Sequence, residues 1–121
     1  MEDKRLSSEN GAVVCLAPIA RRGHPRFFEL IEEIANLHSR KNSNYATSQN
    51  PLSNFMECED IGIDAFKGTL VRMCDKWSRI KQLASGTPDA VGESIIDTLR
   101  DLSVYSLIAI ILYEQQNGGE K

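Results

Sequence analysis

The sequence predicts an all-α fold, a small bundle of three main helices with a long Asn-rich loop, completed by oligomerisation. Three observations lead there. Apolar residues recur at steps of three and four in three separate stretches. The four prolines (Pro18, Pro25, Pro51 and Pro88) fall at the starts of those stretches or in the connections. The last stretch ends in LSVYSLIAIILY, which is apolar nearly all round, so that helix end is central or lies in a subunit interface.

Residues 1–24 read as an N-terminal arm: a polar start, a short Val-Val-Cys-Leu piece, then Arg21-Arg22-Gly23. Pro25 suits the first position of a helix, and Phe27, Leu30, Ile31, Ile34, Leu37 and His38 follow at helical spacing to about Arg40 or Lys41. His38 lies on the apolar stripe, as a packed core histidine would. The segment KNSNYATSQNPLSNFMECEDIGI has no clear periodicity and reads as one long loop, a length more often functional than idle. Asp64 is a suitable N-cap for the second helix, whose stripe Phe66, Leu70, Met73, Trp77, Ile80 and Ala84 is read as core. Gly86 ends it. Thr87-Pro88 is a cap followed by a first-turn proline, opening a third helix to about Tyr113 or Glu114. Its inner face is Val91, Ile95, Thr98, Leu102, Tyr105 and Ala109. Residues 25–114 thus form the helical domain, and 115–121 a flexible tail.

At 121 residues, 41% hydrophobic and 26% charged, the chain has the balance of one globular domain. A net charge of −3 argues against general affinity for a nucleic-acid polymer or a membrane surface. Cys15, Cys58 and Cys74 form no CxxC pair and leave one over, which suits a reducing cytoplasm. The longest apolar run, Leu107 to Tyr113, is far short of a membrane span.

Polar residues are patterned as strongly as the apolar ones. Arg72, Asp75, Lys76 and Arg79 share one face of the second helix, beside the apolar stripe. Three cations around one carboxylate make a phosphate-binding ridge, or else a solvated face laced with ion pairs. On the third helix Glu93, Asp97 and Asp101 step by four towards Tyr105. Carboxylates one turn apart repel, so something offsets them: a Mg²⁺ ion, for which oxygen ligands suit, or the cations of the second helix. Lys41, Asn42 and Tyr45 stand where the first helix meets the loop, with Asn54 and Phe55 further along. Asn reads a base or ribose and an aromatic ring stacks on a base, although Asn is also a common turn residue. No nucleophile–base pair, glycine-rich phosphate loop or zinc spacing is present.

Taken in order, K-N-x-x-Y at 41–45, N-F at 54–55, R-x-x-D-K-x-x-R at 72–79 and E-S-x-x-D-T-x-x-D-L-x-x-Y at 93–105 form one pattern over residues 26–114. It resembles the small phage and bacterial family called nucleotide modification associated domain 1. That family is distantly similar to the all-α nucleoside triphosphate pyrophosphohydrolases of the MazG and dimeric dUTPase group, which hold Mg²⁺ on a triphosphate with E-x-x-E and E-x-x-D motifs. Here Glu29-x-x-Glu32 falls on the solvent side of its helix, and Ser94 stands where a second acid is expected. These departures bear on hydrolysis and not on nucleotide binding.

The resemblance implies a nucleotide site in which Lys41, Arg72, Lys76 and Arg79 hold phosphates. Asn42, Tyr45, Asn54 and Phe55 contact base or ribose, while Glu93, Asp97 and Asp101 hold Mg²⁺ or orient the basic residues. Three functions fit: a Mg²⁺-dependent pyrophosphohydrolase, a non-catalytic protein that sequesters a nucleotide signal as phage anti-defence proteins do, or a ligand-free scaffold. The expected partners are a nucleotide and further copies of the chain, in the host cytoplasm if phage-encoded.

Overall fold

The computed structural model describes residues 21–45, 50–87 and 92–118. It contains three long helices, α1 (Pro25–Tyr45), α2 (Ala65–Ala84) and α3 (Ile95–Gln116), with two 3-10 turns, Ser53–Phe55 and Glu57–Ile61, between α1 and α2. No strand occurs among the described residues, so the all-α expectation holds. Nor is any helix there long and apolar enough to cross a membrane. The chain divides into two compact units, Met1–Leu30 and Ile31–Lys121. In the first, the Arg21 guanidinium lies 5.1 Å from the Phe28 ring centre, and Arg26 pairs with Glu29 at 3.1 Å. Everything below concerns the second.

Helix α1 runs about one turn further than its apolar periodicity suggests. No proline or glycine interrupts Lys41–Tyr45, and Asn42 Nδ2 donates to the Pro51 carbonyl at 2.6 Å, tying the helix end to the following segment. The described part of that segment, 50–63, is not an open loop. Asn50 Oδ1 accepts from the Leu52 amide at 3.1 Å, starting the turn that becomes the first 3-10 piece. Asp64 then caps α2 as expected, accepting from the Phe66 and Lys67 amides at 3.0 and 3.3 Å.

The start of α3 differs from expectation. Gly92 has φ +79°, which no right-handed helix accommodates, and the cap is Ser94, whose hydroxyl accepts from the Asp97 amide at 3.0 Å. Thr87 is therefore not the cap, and Pro88 and Val91 lie outside the described residues.

The core gathers Phe55, Ala65, Ile108 and Leu112, with Leu52, Met56, Phe66, Val104 and Tyr105 around them. Thr69 and Thr98 are also fully buried, each hydroxyl donating to a carbonyl one turn back. The stripe expected to form the core side of α2 holds at Phe66, packed on the core, and at buried Ile80, and is corrected elsewhere: Trp77 is 54% exposed, and Leu70 and Ala84 face outward too. The inward line runs instead through Ala65, Thr69 and Ile80, with Arg72, Lys76 and Arg79 half-buried beside it. The physical reason is across the interface. Carboxylates before and on α3 pair with Lys76 and Arg79, and Arg72 bonds to the Asn54 carbonyl, so each of these charges finds a partner where it is turned in.

Candidate functional site

Four pieces of chain converge on a cavity of about 230 Å³. The C-terminal half of α1 contributes Leu37, His38, Lys41 and Asn42, which share a face by helical spacing. The first 3-10 turn brings Asn54 and Phe55, α2 brings Arg72, and α3 brings Asp101, Val104 and Tyr105.

Arg72 is mounted rather than free. Its guanidinium carbon lies 4.5 Å from the Phe55 ring centre and its Nη2 donates to the Asn54 carbonyl at 3.1 Å. Phe55 is itself buried and meets Tyr105 edge-on, ring centres 5.8 Å apart at 75°. Phe55 therefore holds Arg72 in place, and both Phe55 and Tyr105 line the cavity. Asn54 Oδ1 is buried with no hydrogen-bond partner. An acceptor left so is costly, by about 1–3 kcal/mol, and is the kind of group a ligand N–H satisfies.

Next to the cavity runs a chain of alternating charges. Asp101 pairs with Lys41 at 3.3 Å and with Lys76 at 3.1 Å. Lys76 also meets Glu93 at 3.7 Å, and Glu93 meets Arg79 at 3.4 Å. Thr98 Oγ1 also lies 3.2 Å from the Glu93 carboxylate, so its one hydrogen is shared between that group and the Ser94 carbonyl. Partial burial pulls the Lys76 pKa down, but the hydrogen bond and charge of Asp101, with Glu93 and Tyr105 adding to them, outweigh it. Its pKa is raised above 10.5, so it stays an ammonium at any physiological pH. Among the described residues four cations (Lys41, Arg72, Lys76, Arg79) stand around the two carboxylates Asp101 and Glu93, in a chain that is negative as a whole.

The structure thus brings Lys41, Asn42, Asn54, Phe55 and Arg72 to one cavity, with Lys76 and Arg79 adjoining through the shared carboxylates. The side chain of Tyr45 lies outside the described residues. The three acidic residues do not gather as a set: Glu93 and Asp101 share Lys76, and Asp97 stands apart. Because α3 begins only at Ile95, Glu93 precedes it, and its helical step to Asp97 is broken. Glu93 and Asp101 are taken up by Lys and Arg, while Asp97 is exposed and meets Arg100 at 3.7 Å. Among the described residues no three Asp, Glu, His or Cys are grouped to hold a metal. As arranged, these residues do not fit Mg²⁺. Glu29 pairs with Arg26, and Glu32 is exposed.

Sequence reasoning passed over two cavity residues. His38 was read as core, yet its spacing to Lys41 and Asn42 already put it on their face. Tyr105 lies on the inner face of α3 as expected, and beyond that it lines the cavity with Asp101 one turn before it. Comparison with protein-family models, with curated proteins and with solved structures gives no match, so the site is read from its own chemistry.

Proposed function

We propose that the cavity binds a phosphorylated nucleotide without a resident metal, and that the protein sequesters this ligand rather than cleaving it. One observation carries the reading: Arg72, fixed on Phe55, and Lys41, held by Asp101, present cations to a cavity that also offers an aromatic ring and amides. An ammonium has three donors, so a lysine held by a carboxylate keeps N–H groups for phosphate oxygens. Arg72 keeps a planar fork beyond the one N–H given to Asn54. Lys76 and Arg79 add positive potential, and Asn42, Asn54 and Tyr105 stand where a base or ribose reaches. The role that follows is removal of a free nucleotide signal, as a phage protein would do in host cytoplasm, by an assembly of several copies.

The test is a panel of mono-, di-, tri- and cyclic nucleotides assayed by calorimetry in EDTA and again in Mg²⁺. Ligand recovered from each mixture is then separated by chromatography. Binding in EDTA with the ligand recovered intact is the expected result. Product that appears only with Mg²⁺ would make the protein a pyrophosphohydrolase instead, and no binding by any member would overturn the nucleotide reading.

A further inference from the structure

Helix α3 has a second apolar face that none of the described residues of 31–121 covers. Its inward side, through Thr98, Asp101, Tyr105, Ile108 and Leu112, is spent on the core and the cavity. On the opposite side Ile96, Leu99, Ser103, Leu107 and Ile110 follow at steps of three and four, a straight seam about 21 Å long at 1.5 Å per residue. The four large residues are between 42% and 58% exposed.

The seam is a palindrome. Leu99 and Leu107 each lie four residues from Ser103, and Ile96 and Ile110 each lie seven. A second copy laid antiparallel with its Ser103 on the first therefore sets Leu against Leu and Ile against Ile, the self-complementarity that a two-fold interface requires. A serine at the crossing point lets the two backbones approach. No seam residue from Ile96 to Ile110 is charged, Arg100 and Glu114 lying at its border, and antiparallel helices set their dipoles against each other favourably. With the flanking Ile111 and Tyr113, complete burial would remove roughly 1,000 Å² of side chain from water for the pair, the lower bound for a specific interface.

We infer that two copies of this chain pair antiparallel through the outer face of α3, about a two-fold axis at Ser103. The pairing is independent of what the cavity holds.

The full-length chain, with Cys15 and Cys74 changed to Ser, tests this by sedimentation and by oxidative crosslinking. Wild type is expected to sediment as a dimer or a larger even-numbered assembly. Leu99→Glu and Ser103→Arg should each make it monomeric while helicity and cooperative melting persist. Ser103→Cys should form a disulfide between copies. Ile96→Cys alone should not, whereas a mixture of Ile96→Cys and Ile110→Cys protein should. A wild type still monomeric at millimolar concentration overturns the inference. So does an assembly untouched by Ser103→Arg, which folds whatever becomes of Leu99→Glu, or an Ile96→Cys that crosslinks to itself.

Discussion

Arg72 is the side chain on which binding and folding meet, and substitution separates the two. Arg72→Ala loses the ring contact with Phe55 and the bond to Asn54, a stability cost of about 1–2 kcal/mol. If its remaining donors meet phosphate, nucleotide affinity should also fall at least about tenfold. Arg72→Lys keeps the charge but not the planar fork, so calorimetry should place it between the two. Lys76 makes a different prediction, in pH. Its folded pKa is raised above the 10.5 of an unfolded lysine, so the stabilisation is complete below that value and is lost as pH climbs through the folded one. Urea unfolding of wild type and Lys76→Met should therefore show a stability gap that is level from pH 7 to about 10 and narrows above 10.5.

The seating of the 3-10 segment on α2 depends on one missing side chain. Gly68 sits inside α2, where alanine is intrinsically better by about 1 kcal/mol. A Cβ there would land 2.5 Å from Cys58 Sγ, well inside contact distance, although Cys58 Cβ stays 3.6 Å away. Crowding is therefore expected to outweigh propensity, and Gly68→Ala should destabilise by about 1–3 kcal/mol. Cys58→Ala removes the obstructing sulfur. Adding it to Gly68→Ala should recover much of the loss, and thermal melts of the four proteins in the cycle measure the coupling. Strict additivity would mean that the two segments do not touch as described.

Across the domain of residues 31–121, Asp101 joins three helices, since Lys41 of α1 and Lys76 of α2 converge on this one α3 carboxylate. Asp101→Asn keeps the shape and removes the charge. Both lysines lose their shared partner, with a stability cost of about 1–3 kcal/mol because the carboxylate is four-fifths covered. Affinity for a phosphorylated ligand should move the other way. The same two ammonium groups are released and a repelling negative charge is gone, so binding in EDTA should tighten severalfold, more at low salt than at high. A magnesium enzyme would respond oppositely, losing Mg²⁺-dependent turnover with the carboxylate. Denaturant melts and calorimetry on the one variant thus read folding, binding and metal dependence together.

Much of the molecule was legible from neighbouring residues. The 3.6-residue period, Pro25 and the Asp64 cap give the number, kind and order of the helices, because each acts through backbone hydrogen bonds a few residues away. The basic ridge was legible for the same reason, since Arg72, Lys76 and Arg79 share a face in any helix. The side on which α2 would bury itself was not. Its Trp77 stripe is the more apolar, and only the carboxylates Glu93 and Asp101, about 20 residues on, turn the cationic face inward. Nor was the late start of α3, set at Gly92 and Ser94 rather than Thr87, which moved Glu93 off the helix and out of line with Asp97. The cavity is the furthest from local rules. His38, Asn54, Arg72 and Tyr105 come from four separate pieces of chain, and only packing brings them together. A periodicity says which residues share a face. What that face meets depends on the charge and volume of residues distant in sequence, and that is settled only when the helices pack.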